Sequence, residues 1–218
     1  AFEQDGQAIV GADLVVLSVK PQSFPNVLAD LAGRLTSGQS VVSIMAGIRM
    51  EALVSGLGHE AVIRVMPNMP AQVREGMTVW HAAPQVPESH VERTQAMLRT
   101  MGREIRVSRE EERDMATALS ASGPAYVFLF IESLVDAGVY LGFSRETART
   151  LAIGTVLGSA RLAEESGRHL AELRNAVTSP GGTTAEALLA LEEGGFRAAV
   201  LNAVIAAYEK SAALGKRK

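Results

Sequence analysis

The chain has 218 residues, which is enough to bury a substantial core in one or two domains. With 47% hydrophobic and 21% charged residues it has the composition of a soluble globular protein, and its net charge of −3 gives no reason to expect nucleic acid or an anionic membrane as a partner. The absence of cysteine excludes disulfides, thiolate nucleophiles and cysteine–metal sites, and it fits a cytoplasmic location.

Neither a metal site nor a membrane segment is expected. The four histidines have no metal-ligand spacing such as H-E-x-x-H. No signal-peptide pattern is visible, and the apolar run that comes closest to membrane-spanning length, residues 125–143, is interrupted by Glu132 and Asp136.

Compact apolar runs in the first half of the chain predict strands buried on both faces. The predicted elements are strands over 12–21, 40–46 and 61–66, helices over 23–35, 50–57 and 87–101, and further sheet segments over 77–81 and 104–107. Strands that alternate with helices predict parallel pairing, right-handed crossovers and helices on both sheet faces. This half is therefore predicted to be a doubly wound α/β sheet, or the later part of one.

From Glu110 to the end, the sequence shows helical periods and helix punctuation only. Predicted helices run over 110–120, from a cap at Ser122 to about 141, from a cap at Ser144 through 165, and over 196–214. Gly154 and Gly158 thin the surface of the third helix, so that another helix could approach closely, either within one subunit or from a second one.

Three strand ends carry small or turn-forming residues, namely Ser18-Val19-Lys20-Pro21, Ile44-Met45-Ala46-Gly47 and Pro67-Asn68-Met69-Pro70. Ligands of doubly wound sheets bind at the carboxyl ends of the strands. Small side chains and exposed backbone there would let a flat nicotinamide–ribose group lie across the edge. The alternative is that these are ordinary loop starts.

A dinucleotide-binding sheet should open with a strand, then G-x-G-x-x-G, then a helix. The chain has no room for this motif before Ala12. The run from Gly56 to Ala61 fits G-x-G-x-x-A, but it follows a predicted helix and precedes a strand, which is the reverse of the required context. We therefore interpret it as a chance match.

The stretch from Val177 to Leu188 is predicted to be a turn that opens a helix. Pro180, Gly181 and Gly182 indicate the turn, and Thr183 with Glu186 has the spacing of a capping box for a helix through Leu191. Unpaired N–H groups and the positive end of a helix dipole favour an anion at such a place. The stretch is thus a candidate cradle for a carboxylate or phosphate, the alternative being a plain capped helix.

The sequence V-T-S-P-G-G-T-T in this stretch resembles the signature of the pyrroline-5-carboxylate reductases, which perform the last step of proline synthesis. The V-K-P, A-G and M-P-N turns at the three strand ends and A-S-G-P-A-Y at 121–126 resemble the same family in the same order. The resemblance covers nearly all of the chain. It implies a Rossmann-like domain over 1–109, which lacks the glycine-rich βαβ segment that opens family members, and an all-helical dimerisation and substrate-binding domain over 110–218.

The resemblance implies a set of site residues. The cofactor, NADPH or NADH, would lie against Asp5, Ser18, Val19, Lys20, Pro21, Ile44, Met45, Ala46, Pro67 and Asn68. The substrate 1-pyrroline-5-carboxylate would contact Ser179, Gly181, Gly182, Thr183 and Thr184, with its carboxylate on the amides of residues 181–183. Asp5 stands where the family has an asparagine near the adenosine.

Hydride transfer to a protonated imine asks little of side chains beyond orientation. We expect the Thr184 hydroxyl nearest the imine nitrogen, as a catalytic residue that orients a proton rather than driving its transfer. Lys20 is interpreted as part of a strand-end turn, because a solvated lysine is a poor acid at neutral pH. The family's active site lies between subunits, so the resemblance also implies that the sheet domain of one chain meets this loop of another.

The resemblance implies a homodimer, and decamers of five dimers also occur in the family. Two other functions remain open at this stage. One is an NAD(P)-dependent reductase of similar layout that acts on a hydroxy acid or keto acid. The other is a catalytically inactive dimerisation fragment, since the phosphate-binding segment is missing.

Overall fold

The computed structural model describes residues 5–216, which form two compact units. The first unit contains the chain up to Pro124 together with Val204 and beyond, and the second contains Ala125–Ala203. The chain order up to the end of the sheet is α1 (Asp5–Ala8), β1 (Leu14–Leu17), α2 (Phe24–Leu31), β2 (Ser40–Ser43), α3 (Met50–Leu57), β3 (Val62–Met66), β4 (Gly76–Ala82), α4 (Glu88–Arg99) and β5 (Gly102–Arg106). Short 3₁₀ turns cover Pro21–Ser23 and Met69–Val73.

The rest of the described chain is helical. It comprises α5 (Glu110–Ala116), a π-helical turn (Thr117–Ala121), α6 (Gly123–Tyr140), α7 (Arg145–Ser166), α8 (Leu170–Ala176), α9 (Thr183–Glu193) and α10 (Phe196–Lys216). The predicted combination of an α/β half and an all-helical half is thereby confirmed. The short helix α8 was missed by the sequence analysis.

The sheet has the strand order β1-β2-β3-β4-β5, and three of its four neighbouring pairs are parallel. The prediction of parallel pairing is wrong for β3 and β4, which run antiparallel with Met66 opposite Val79. The reason is the length of the connection: only residues 67–75 join the two strands, whereas a parallel crossover needs about a dozen residues or more.

Both faces of the sheet are covered by helices, as predicted. Along β3 the buried side chains alternate, with Val62 in the core layer beneath α2 and α3, and Ile63 in the layer beneath α4. The first layer contains Val15, Leu17, Phe24, Leu31, Val41, Leu53 and Leu57. The second layer contains Val42, Val65, Trp80, Val91 and Leu98. Such double coverage explains why the strands appear in the sequence as continuous apolar runs.

The predicted start of a helix directly after Ser122 is confirmed, since α6 begins at Gly123, but Ser122 does not have the extended backbone of an N-cap residue. Ser122 has helical dihedral angles (φ −82°, ψ −22°), and its N–H donates to the carbonyl of Thr117 at 2.9 Å, which closes the π turn. The chain therefore remains helical from α5 into α6. The predicted cap at Ser144 is confirmed, because its hydroxyl oxygen accepts the N–H of Thr147 at 3.1 Å.

The second unit, all of which the structure describes, has a very small core of its own. Only Val135, Ala148 and Ala152 are buried within it. An added Cβ atom at Gly154 or Gly158 would meet nothing within 4 Å, so the surface of α7 around these two glycines is open in the single chain.

By length and composition alone, the helical stretch Glu110–Tyr140 is the one segment of the described chain that could cross a membrane.

A buried carboxylate joins α4, β4 and β5 in the first unit. Glu104 on β5, whose side chain is 7% exposed, accepts hydrogen bonds from Trp80 Nε1 at 2.7 Å and from Gln95 Nε2 at 2.8 Å, and Arg99 Nε donates to it at 3.2 Å. Burial acts to raise the pKa of this carboxyl group, but the three hydrogen bonds outweigh it and hold the pKa below the ordinary value. The ionised form is therefore the one that the fold stabilises.

We expect Glu104→Ala to lower the free energy of unfolding by about 1–3 kcal/mol, because the buried indole N–H then has no acceptor. Trp80 is the only tryptophan in the sequence and is fully buried, so its emission reports unfolding directly. Glu92→Ala, on the exposed side of α4, is the matched control and should change little.

The same comparison has a defined pH dependence. A depressed pKa in the folded state adds stability above the pKa of the unfolded state, and this stability is lost as the pH falls through the folded-state pKa. The difference between wild type and Glu104→Ala should therefore shrink below the ordinary carboxyl pKa of 4.5. A difference that grows on acidification would contradict the assignment.

Candidate functional site

The three predicted strand ends lie at one edge of the sheet. Because β1, β2 and β3 are parallel neighbours, their carboxyl ends coincide, with Leu17 opposite Ser43 and Ser43 opposite Arg64. The N–H of Ile44 still donates to the carbonyl of Leu17 at 3.2 Å, so the first two turns leave the sheet side by side. Residues 18–21, 44–47 and 67–70 therefore form a continuous rim, which we call the strand-end edge.

The strand-end edge presents small side chains and main chain rather than charged pairs. Ser18, Val19, Lys20 and Ala46 are exposed there. Met45 differs from the expectation, because its side chain is 2% exposed and belongs to the core beneath α2 and α3, which leaves only its backbone for a ligand. A shallow rim of this kind fits the flat nicotinamide and ribose groups of a dinucleotide.

The Asn68 side chain points away from open solvent toward two other elements. Its Oδ1 accepts the N–H of Met77 at 2.8 Å, and its Nδ2 lies 3.3 Å from the carbonyl oxygen and 3.4 Å from the hydroxyl oxygen of Ser120. Sequence analysis missed Ser120. Its only signal was the proline four residues further along, which removes the N–H that an α-helix would supply to the Ser120 carbonyl.

An ion pair whose arginine is buried and whose glutamate is partly exposed lies at the start of α3, beside the edge. Arg64 of β3 is 1% exposed and pairs with Glu110, whose Oε1 also accepts the N–H of Met50, the first residue of α3, at 2.7 Å. Burial, and then the positive charge of Arg113, lower the pKa of Arg64. One carboxylate thus links β3, α3 and α5.

The stretch around Pro180 forms a tight turn. The N–H of Gly182 donates to the carbonyl of Ser179 at 3.1 Å, and Gly181 has φ +66°, so residues 179–182 form a type II turn with proline and glycine in its two central positions. An added Cβ at Gly182 would overlap the Ser179 hydroxyl oxygen. The amide of Gly182 is consequently occupied by the protein and not directed at a ligand.

Helix α9 begins at Thr183, as predicted, but the predicted capping box is wrong. The N-cap residue is Gly182, and no side chain caps the helix. The Gly182 carbonyl accepts from Ala185 at 3.0 Å and from Glu186 at 3.3 Å. Thr183 is therefore the first helical residue rather than the cap, because the turn brings the glycine into the cap position.

The start of α9 leaves donors available. Within residues 5–216, the amides of Gly181, Thr183 and Thr184 have no hydrogen-bond acceptor, and neither has the half-buried Thr184 hydroxyl. Thr178, just before the turn, is held by its hydroxyl, which donates to the Arg174 carbonyl at 2.7 Å. Three free amides and a hydroxyl at the positive end of an 11-residue helix can bind a small carboxylate.

The remaining candidates belong neither to the strand-end edge nor to the start of α9. Asp5 is the exposed first residue of α1. Gly56 lies inside α3, and Gly58 ends that helix with φ +62°, so this glycine pair caps a helix instead of opening one. Across residues 5–216 there is no group of three histidine, cysteine or acidic side chains that could hold a metal ion.

Comparison with known proteins gives one consistent family. The model of pyrroline-5-carboxylate reductase dimerisation matches residues 110–214, and that of NADP oxidoreductases, coenzyme F420-dependent, matches residues 1–47. Pyrroline-5-carboxylate reductases from Synechocystis and Pseudomonas aeruginosa are each 43% identical to the chain, over 94% and 99% of it and over 76% and 79% of their own lengths.

Solved structures agree. The Plasmodium falciparum pyrroline carboxylate reductase with NADP bound superposes with a TM-score of 0.92 at 36% identity, over 99% of this chain and 82% of the other. The Coxiella burnetii pyrroline-5-carboxylate reductase superposes with a TM-score of 0.89 at 37% identity, over 99% and 81%. With relatives this similar over nearly its whole length, the chain belongs to the pyrroline-5-carboxylate reductase family.

Proposed function

We propose that this protein reduces the C=N bond of 1-pyrroline-5-carboxylate to L-proline, using NADPH or NADH. The observation that carries the site assignment is the start of α9, where free amides follow a rigid type II turn. Family membership supplies the reaction, and the free donors supply a place for the carboxylate of this substrate.

The substrate carboxylate is assigned to the amides of Gly181, Thr183 and Thr184, with the exposed Ser179 hydroxyl as a further contact. Gly182 contributes by its shape: its amide maintains the turn, and its missing side chain keeps the space beside Ser179 open. The helix dipole adds a favourable interaction of about 0.3–1 kcal/mol with the bound anion.

The dinucleotide is assigned to the strand-end edge, on the backbone of residues 18–21, 44–46 and 67–68, with Asp5 toward the adenosine. When bound, it supplies the hydride. The edge fits the nicotinamide half of the molecule, and residues 5–216 contain no glycine fingerprint between a strand and a helix for the pyrophosphate. NADP is the form named for the family model that matches residues 1–47 and for the P. falciparum structure.

Little acid–base machinery is required of the chain. A protonated ring nitrogen makes the imine carbon electrophilic, so the protein contributes orientation, which can lower the barrier by several kcal/mol. Thr184 is the residue we assign to the ring nitrogen, because its hydroxyl is half-buried and has no protein partner. Lys20 is exposed on the strand-end edge and is assigned to the turn alone.

We further propose that residues 1–109 and 110–218 are the cofactor-binding and the dimerisation domains of a cytoplasmic homodimer. Supporting this, the second unit exposes an apolar groove of about 480 Å³ lined by Leu129, Phe130 and Phe196, and the family model over residues 110–214 is one of dimerisation. Assembly of dimers into a decamer is part of the same proposal.

The function is tested by following dinucleotide oxidation with the full-length protein. With 1-pyrroline-5-carboxylate as substrate, absorbance of the reduced cofactor should fall and proline should accumulate in equal amount. A keto acid at the same concentration should give no turnover, because the Thr184 hydroxyl, the group assigned to the reacting bond, is too weak an acid to protonate a carbonyl oxygen. Comparable rates on both substrates would overturn the assignment to imine reduction.

We expect Thr184→Ala to lower kcat about ten- to a hundredfold, because the loss of one hydrogen bond to a charged group costs about 1.5–3 kcal/mol in the transition state. The dissociation constant of the dinucleotide should stay unchanged, since Thr184 is assigned to the imine. Thr150→Ala removes an exposed threonine from α7 and serves as the matched control in steady-state kinetics. An unchanged kcat for Thr184→Ala would remove this residue from the mechanism.

We expect Gly182→Val to raise the KM for the imine about tenfold or more. Its φ of −83° and ψ of 168° are open to valine, so the effect comes from displacement of the Ser179 side chain and obstruction of the free amides. Gly38→Val is the control, because an added Cβ there has no neighbour closer than 4.0 Å. If the imine KM does not change while the protein remains folded, the turn is only a helix cap.

A further inference from the structure

All polar groups of the Asn68 side chain are used within the protein. Oδ1 accepts from the Met77 N–H, Nδ2 faces both oxygens of Ser120, and the Ser120 hydroxyl in turn donates to the Met77 carbonyl at 3.4 Å. These contacts join the end of β3, the start of β4 and the π turn. All three elements belong to the first unit.

The position of Asn68 in the sheet explains its bond to Met77. The antiparallel register, with Met66 opposite Val79, would place Asn68 opposite Met77 if β3 continued. The ladder stops because the chain turns away after Met66, and the Asn68 carbonyl accepts the N–H of Ala71 at 3.1 Å instead of that of Met77. The Asn68 side chain therefore satisfies the N–H of Met77 where the backbone of β3 no longer does.

Pro124 explains the bond to Ser120. In an α-helix the Ser120 carbonyl would accept from residue 124, and proline has no N–H. The helix widens here into the π turn, closed by the bond from Ser122 to Thr117, and Nδ2 of Asn68 supplies a donor to Ser120 from outside. Isolated π turns of this kind are frequent at functional sites.

We propose that Asn68 is a positioning residue, which acts through Ser120 and Met77 and holds the π turn Thr117–Ala121 against the strand-end edge. Its side chain does not serve as a ligand of the dinucleotide. The inference rests on the proposed function in one respect: the strand-end edge is where the nicotinamide must be oriented, and a shift of about 1 Å in such a site can lower the rate up to 10²-fold.

The variants separate the two contacts. Asn68→Ala removes both, whereas Asn68→Asp keeps the acceptor for Met77 but places an oxygen opposite the Ser120 carbonyl. Ser120→Ala removes only the hydroxyl contacts. Asn26→Ala, on the exposed side of α2, is the matched control.

In the full-length enzyme, Asn68→Ala and Asn68→Asp should each lower kcat by about ten- to a hundredfold. The dinucleotide dissociation constant should rise no more than about threefold, because no direct ligand is lost. The double variant Asn68→Ala/Ser120→Ala should be only slightly slower than Asn68→Ala alone, since the one Ser120 hydroxyl contact left without Asn68 is its long 3.4 Å bond to the Met77 carbonyl.

A second readout needs neither cofactor nor substrate. Amide hydrogen exchange in residues 117–122 of the free protein should be faster in Asn68→Ala and Asn68→Asp than in wild type and Asn26→Ala. If wild type fails to turn over the imine, the proposed function fails, and the exchange experiment still decides the link between Asn68 and the π turn.

Several results would overturn the inference. They are unchanged exchange at residues 117–122, multiplicative effects of the two substitutions on kcat, and a large rise in the dinucleotide dissociation constant with kcat preserved at saturation. The last would make Asn68 a direct ligand of the dinucleotide. A lower melting temperature with unchanged kcat would likewise reduce Asn68 to a structural residue.

Discussion

The parallel pairing of β1, β2 and β3 is the constraint on which the first unit depends. It places three turns at one edge, and it requires crossover helices, which cover one face of the sheet with α2 and α3. The short return after β3 reverses the next strand and directs α4 to the other face. The strand-end edge and the two helical layers that cover the sheet faces thus follow from how the strands pair.

Main-chain groups dominate both candidate binding sites. At the start of α9 the donors are amides that no helix can satisfy internally, and at the strand-end edge the exposed side chains are mostly small. Sites built from main-chain groups and small side chains suit a reaction in which a protonated imine needs alignment more than acid–base catalysis. It also explains why the sequence contains no histidine–aspartate or serine–histidine set at these places.

Much of the architecture could be predicted because buried strands and helices have recognisable patterns of apolar residues in the sequence. Continuous apolar runs located β1, β2 and β3, and Ser144 located the start of α7. Strand direction leaves no such trace, so the reversal at β4 was missed. Only the length of the connection from 67 to 75 encodes it.

The errors at the site arose where two local signals compete. Ser122 before Gly-Pro has the pattern of an N-cap, but its backbone is helical and its N–H closes the π turn, while the donor to the Ser120 carbonyl comes from Asn68, distant in sequence. Thr183 and Glu186 have the spacing of a capping box, but the type II turn places Gly182 at the cap. Which oxygen or amide is left free depends on such tertiary contacts, and spacing alone does not determine it.

The three-residue core of the second unit has a thermodynamic consequence. A helical segment of this size with so little buried apolar surface cannot offset its own conformational entropy. In the proposed dimer, the surface that completes this core comes from another protomer, so folding and association of the unit form a single equilibrium. By mass action, the melting temperature of the second unit in this dimer then depends on enzyme concentration. Dilution below the dimer dissociation constant favours its unfolding.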